Sequence, residues 1–221
     1  MKQIDCPSPN HDDRKDAVID MLVLHYTGMT SGAAAIERLC DPATKVSAHY
    51  TVDEDGTVYR HVAEDRRAWH AGVSHWAGID NVNSRSIGIE IVNPGHEYGY
   101  RAFPEAQIAA LIELCSGILQ RHPIPPARVL GHSDVAPARK EDPGELFPWQ
   151  RLADAGIGVW PQAIASALGA DALPRYGYDP GAPQDKMITA FQRHFRPKSM
   201  TGQWDGECAG LLASLLGGAG V

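Results

Sequence analysis

The segment GHSDVAPARKEDPG, Gly131–Gly144, gathers a histidine, two aspartates, an arginine, a lysine and a glutamate within fourteen residues. Pro137 and Pro143 make it too proline-rich to be a helix, and with the flanking glycines they fix its course. His132 closes one short apolar run, ARVLGH, and His25 closes another, MLVLH. Both runs read as buried strands, and strand ends are where α/β proteins set their sites, on loops held by a rigid sheet. Asp142 returns after nine intervening residues, anchored by Pro143 and Gly144. Two histidines and a carboxylate with a fourth position open are a ligand pattern of catalytic zinc. Glu90 stands on the polar side of SIGIEIV and is available as a general base outside such a shell, and Lys140 adds a cation to the same space.

Each of these residues also has a plainer reading. A histidine at a strand end is commonly a satisfied structural side chain. Glu90 has Arg85 and Arg139 as candidate salt-bridge partners, and a charge-rich stretch such as 133–142 is often just solvated loop. Spacing alone leaves both readings open.

The elements that must position these groups are legible from periodicity. SGAAAIERLC reads as a short helix capped by Ser31, and SAHYTVDEDGTVYRHV as a hairpin turning at Gly56. SIGIEIV alternates, with Ile87, Ile89 and Ile91 on one face and Gly88, Glu90 and Val92 on the other. Between Pro104 and Arg121 the apolar positions follow helical spacing, which predicts an amphipathic helix with Pro104 in its first turn. Strands and helices intermix, so the expected class is α/β with a central mixed sheet flanked by helices. GADALPRYGYDPGAP is a Gly/Pro break, after which QDKMITAFQRHF and DGECAGLLASLL predict a small all-helical C-terminal domain. The expected division is 1–170 and 174–221.

Among the 221 residues, 43% are hydrophobic and 21% charged, an ordinary globular composition with room for a full core. The formal net charge of −7 argues against nucleic acid as the main partner. No run approaches the length of a membrane span, and no apolar signal region precedes Cys6, so a cytoplasmic location is expected, or a periplasmic one if a signal has been removed. Cys6, Cys40, Cys115 and Cys208 are widely scattered without a CxxC pair, which predicts free thiols and excludes a Cys-rich zinc site.

VLHYT, VSAHY, DEDGTVYRHV, RRAWHAGVS, NSRSIGIEI and GHSDVAPARKEDPGELFPW occur in order across residues 5–162. Together they resemble the zinc amidase family that cleaves N-acetylmuramoyl-L-alanine bonds, which includes muropeptide-recycling amidases, phage amidases and peptidoglycan recognition proteins. The resemblance implies His25, His132 and Asp142 as Zn²⁺ ligands, Glu90 as the catalytic glutamate, and Lys140 as the cation at the reacting carbonyl. It implies a substrate wall at Arg67, Trp69, His70 and Ala71, with Trp69 stacking on sugar or peptide. It puts His49 in the wall or behind it, and offers Arg67 or Arg85 as a clamp for stem-peptide carboxylates. Asn81 stands where some recycling members carry arginine. Residues 174–217 resemble a small peptidoglycan-binding helical module, although RPKSM departs from the usual connector, and FQRHF within it reads as core. The implied partner is peptidoglycan or a muropeptide. A non-catalytic binding protein of this family would lack a ligand, whereas all three positions are filled here.

Overall fold

The computed structural model describes residues 1–218. Its frame is a six-stranded mixed sheet. The strands in chain order are β1 (Gln3–Asp5), β2 (His11–Asp13), β3 (Met21–Tyr26), β4 (Tyr50–Val52), β5 (Val58–Arg60), β6 (Arg66–Ala68), β7 (Ser86–Ile91) and β8 (Val129–Gly131). The large sheet runs β1-β5-β4-β7-β3-β8, with β2 and β6 forming a separate antiparallel pair. Only the β4–β5 hairpin is antiparallel within the large sheet, and Gly56 turns it at φ +84°.

Alternation along β3 and β7 builds the layers. Leu22, Leu24, Ile87, Ile89 and Ile91 face one way and pack with Ile108, Leu111, Cys115 and Ile118 of the helix Glu105–Arg121. That helix begins one residue after Pro104, which occupies the cap position and not the first turn. Met21, Val23 and Leu130 face the opposite way and share a core with Leu173, Tyr178, Phe191, Phe195 and Leu212. The C-terminal helices Gln184–Phe195 and Gly206–Gly218 therefore cover the second face of the sheet. The stretch expected to be a Gly/Pro break contains a helical turn, Leu173–Tyr176, with Leu173, Tyr176 and Tyr178 buried. Apolar residues within that stretch outweigh its punctuation.

Two further expectations are corrected. His132–Val135 forms a single helical turn, because both prolines of the charged segment lie beyond it. The cysteines are scattered along the chain but not in space: Cys6 Sγ lies 3.5 Å from Cys40 Sγ, beside His61. Parallel pairing of β1 with β5 brings Cys6 beside His61, the end of the helix Gly32–Cys40 brings Cys40 to both, and sequence spacing carries no trace of it. All four cysteines are free thiols. Among the described residues no helix is long and apolar enough to cross a membrane.

Candidate active site and metal centre

His25 and Glu90 are register partners on β3 and β7, so their side chains leave the same face of the sheet side by side. β8 pairs with β3 so that Gly131 opposes Leu24, which carries His132 to the same strand ends. The charged segment then folds back, and the Ser133 amide donates to the Asp142 carbonyl at 2.9 Å. The Tyr100 hydroxyl donates to the Pro143 carbonyl at 2.8 Å and fixes the far side of the turn. Distant parts of the chain thereby converge at one point.

His25 Nδ1, His132 Nδ1 and Asp142 Oδ2 form a triangle with edges of 2.9, 3.0 and 3.1 Å. Proton positions follow from the surrounding hydrogen bonds. His132 Nε2 lies 3.0 Å from the Ala71 carbonyl, which only accepts, so this nitrogen holds the proton. His25 Nε2 lies 3.0 Å from His70 Nδ1, His70 Nε2 lies 3.1 Å from Ser86 Oγ, and the Ser86 hydroxyl donates to the Val82 carbonyl at 2.7 Å. Every member of this series is satisfied when each imidazole donates from Nε2. Both Nδ1 atoms then present lone pairs, and a carboxylate oxygen faces them. Burial first, and then the neighbouring His132, push His25 down to about 4, which keeps it neutral at pH 7. Burial opposes ionisation of Asp142, and a positive charge at His132 or His25 would favour it and lower its pKa. Two imidazoles and one carboxylate, all buried, form a donor set for a cation, and the set matches that of catalytic zinc.

Glu90 lies in the same cleft, a space of about 510 Å³ lined also by Lys140, Trp69 and His70. Its Oε2 is buried without a hydrogen-bond partner. Burial first, and then the charge of Asp142, raise its pKa well above the ordinary carboxylate range, with Lys140 opposing. A carboxyl poised in this way suits proton transfer near neutral pH.

The remaining expected site residues divide. Trp69 and His70 line the cleft, and His70 also stands behind His25 as the outer partner that fixes its ring. A Cβ at residue 88 would come within 2.3 Å of the His70 ring, so Gly88 is what lets that imidazole lie against β7. Ala71 contributes its carbonyl to His132 and its side chain to the core. His49 is fully buried outside the cleft, where its Nδ1 accepts from the Gly88 amide at 2.9 Å and supports that strand. Arg67 and Arg85 are not brought to the cleft. Arg67 is held by Asp12 and Asn81, and Arg85 precedes β7 at its amino end, paired with Asp20. Arg139 does not pair with Glu90; it donates to the Ala71 and Val73 carbonyls.

Sequence reasoning missed two groups. Arg38, in the last turn of the helix Gly32–Cys40, lines the cleft as an exposed cation. Asp134 is buried behind the ligand turn, accepting from the Gly131 amide at 2.7 Å, from His194 at 2.7 Å and from the Tyr178 hydroxyl at 2.8 Å. Only the presence of aspartate in the first turn after Gly131 signalled this role; its distant partners left no local trace.

Replacing His70 with alanine removes the outer partner of a metal ligand, and metal affinity is expected to fall by about 10–100-fold. Competition with a chromophoric zinc chelator would measure it, and an unchanged affinity would show that His70 does not support His25.

Known proteins resemble this chain over most of its length. The profile described as N-acetylmuramoyl-L-alanine amidase matches residues 14–145. N-acetylmuramoyl-L-alanine amidase AmiD of Escherichia coli is 38% identical, over 90% of this chain and 82% of that protein. The 1,6-anhydro-N-acetylmuramyl-L-alanine amidase AmpD of Enterobacter cloacae is 34% identical, over 66% of this chain and 86% of its own. A structure of the Escherichia coli AmiD with its substrate, anhydro-N-acetylmuramic acid-L-Ala-D-gamma-Glu-L-Lys, superposes with a TM-score of 0.81 at 37% identity, covering 92% of this chain and 91% of that one. AmpDh3 of Pseudomonas aeruginosa superposes with a TM-score of 0.81 at 37% identity, covering 94% and 93%. With more than half of its length matched by that profile, the chain belongs to the N-acetylmuramoyl-L-alanine amidase family.

Proposed function

We propose that His25, His132 and Asp142 hold zinc, and that Glu90 and Lys140 work beside it to hydrolyse the amide joining N-acetylmuramic acid, or its anhydro form, to the L-alanine of a stem peptide. The chain is an amidase by family. What supports the finer reading is one observation: three buried donors converge next to a buried carboxyl oxygen that has no partner of its own.

When bound, zinc supplies Lewis acidity, lowering the pKa of a water to about 7 and drawing charge from a carbonyl. Glu90 accepts a proton from the attacking water as its oxygen bonds to the lactyl carbonyl carbon. The bond from that carbon to the alanine nitrogen then breaks, and Glu90 returns the proton to the departing amine. Lys140, which lines the same cleft, donates to the oxygen that gains negative charge. Arg38 takes the carboxylate-binding role once expected of Arg67 or Arg85, because it is the arginine among the cleft-lining residues. Trp69 offers an apolar surface for sugar or peptide.

Lys140→Ala is expected to lower kcat by about 10²–10³-fold with little change in KM. Steady-state kinetics on a muramoyl peptide would decide it, and an effect confined to KM would contradict the oxyanion role.

The division into a catalytic unit, 1–170, and a peptidoglycan-binding helical unit, 174–221, belongs to the same proposal; residues 219–221 lie outside the described residues. Two successive helices support a helical unit, and Phe191, Phe195 and Leu212 join it to the catalytic sheet. The buried pair of His194 with Asp134 ties this unit to the ligand turn. His194→Ala leaves Asp134 without one of its partners, and stability is expected to fall by about 1–3 kcal/mol. Urea denaturation would measure it, and a loss under about 1 kcal/mol would mean that the two parts are energetically separate. A cytoplasmic location, where soluble muropeptides and not whole sacculi would be met, is kept with this reading and is supported by four free thiols.

A further inference from the structure

On the far side of the helix Gly32–Cys40 from its capping serine, three donors meet that the amidase reaction does not use. Cys40 is the last residue of that helix, Cys6 follows β1, and His61 follows β5. Cys6 Sγ and Cys40 Sγ are 3.5 Å apart, and His61 Nδ1 lies 3.6 Å from Cys40 Sγ. The Cys6 carbonyl oxygen closes the group, 3.4 Å from Cys40 Sγ and 2.8 Å from His61 Nδ1.

We propose that Cys6, Cys40 and His61 form a second metal site, for a thiophilic divalent cation such as zinc, with the Cys6 carbonyl or a water in the fourth position. Tetrahedral zinc with bonds of about 2.3 Å to sulfur and about 2.0–2.1 Å to nitrogen requires edges of about 3.8 Å between sulfurs and about 3.6 Å between sulfur and nitrogen. The observed 3.5 and 3.6 Å fall close to both. A disulfide would draw the sulfurs to about 2.05 Å and leave the imidazole without a role. His61 is buried, and its Nε2 lies 2.9 Å from Thr51 Oγ1, the outer contact that a metal-ligating imidazole characteristically makes.

Proton accounting is simple. Without a cation, His61 Nδ1–H donates to the Cys6 carbonyl. On binding, both thiols lose their protons to solvent, and the imidazole proton moves to Nε2, where Thr51 Oγ1 accepts it. One divalent cation therefore releases two protons.

The position suggests what the ion does. It would fasten the N-terminal strand and the end of β5 to a helix whose adjacent residues, Arg38 and Leu39, line the catalytic cleft. The site braces one wall of that cleft and takes no part in bond breaking.

The test uses the full chain, reduced and metal-free, titrated with Co²⁺. Sulfur-to-cobalt charge-transfer absorption in the near ultraviolet arises only from thiolate ligation, and His25, His132 and Asp142 provide none. The expected result is that this absorption reaches the amplitude of one thiolate-bound Co²⁺ per chain in the wild type once both sites are filled, is retained in His25→Ala, and is lost in both Cys6→Ser and Cys40→Ser. Reduced wild-type protein that binds Co²⁺ without this absorption overturns the proposal, and no mutant has to fold for that outcome to be read. Isolation of a Cys6–Cys40 disulfide that, once reduced, still shows no thiolate–cobalt absorption overturns it equally. Retention in His25→Ala keeps this result independent of the amidase reading.

Discussion

Glu90→Gln is expected to lower kcat by about 10²–10⁴-fold while the protein still binds zinc. Glutamine keeps the shape of the side chain on β7 but cannot take a proton from water. His25, His132 and Asp142 hold their triangle without any help from Glu90, so metal content should not change. The same substitution should stabilise the metal-free protein at neutral pH. Burial and the charge of Asp142 raise the folded pKa of Glu90 above its unfolded value of about 4.3. Ionising it therefore costs stability, and that cost grows as pH rises from the unfolded value through the folded one. Glutamine removes the cost, so the gain should grow from about the unfolded value of 4.3, reach its full size above the raised pKa, and vanish in acid. Activity runs the other way, because the base must be ionised. The acid limb that Glu90 gives to kcat/KM should be absent from the residual activity of the variant. Near-normal turnover in Glu90→Gln would remove it from the role of base.

His25→Ala should abolish both zinc binding at this site and activity. Two donors on one folded-back turn remain, His132 and Asp142, and the cation loses the strand-borne ligand that faces them. The affinity loss should exceed the about 10–100-fold expected for the outer partner His70, and millimolar zinc should not restore turnover. Because the proposed thiolate site would keep its own ion, total metal content is the wrong readout. Competition for the His/Asp-bound fraction, followed by the absence of thiolate charge transfer, separates the two. A variant that still holds zinc there and turns over would remove His25 from the ligand set.

Much of this arrangement could be read from residue types. His25 and His132 close apolar runs, and Asp142 sits in a turn whose prolines and glycines restrict it, so convergence at the strand ends was foreseeable. Alternation in SIGIEIV put Glu90 on the face opposite Ile87, Ile89 and Ile91, and the register of β3 with β7 sets it beside His25. What could not be read are contacts made by pairing between distant segments. Arg85 looked available near Glu90 because five residues separate them, yet a strand of that length sends them to opposite ends of the sheet, and Asp20 holds the arginine there. Arg67 is claimed by Asp12 on β2, a pairing set by a two-stranded sheet outside the main one. His70 was expected as substrate wall; only its ring orientation reveals that it also props His25. The meeting of Cys6 with Cys40 depends on β1 lying parallel to β5 and on where one helix ends, and neither is encoded locally.

The most direct test of the central claim is to incubate zinc-loaded protein separately with an anhydro-muropeptide, its non-anhydro counterpart and purified sacculi, and to identify the products by mass spectrometry. Release of a free stem peptide beginning with L-alanine is the predicted result, with the preferred substrate distinguishing fragment recycling from wall cleavage. Binding of these ligands without any cleavage, zinc being present at the His/Asp site, would contradict it.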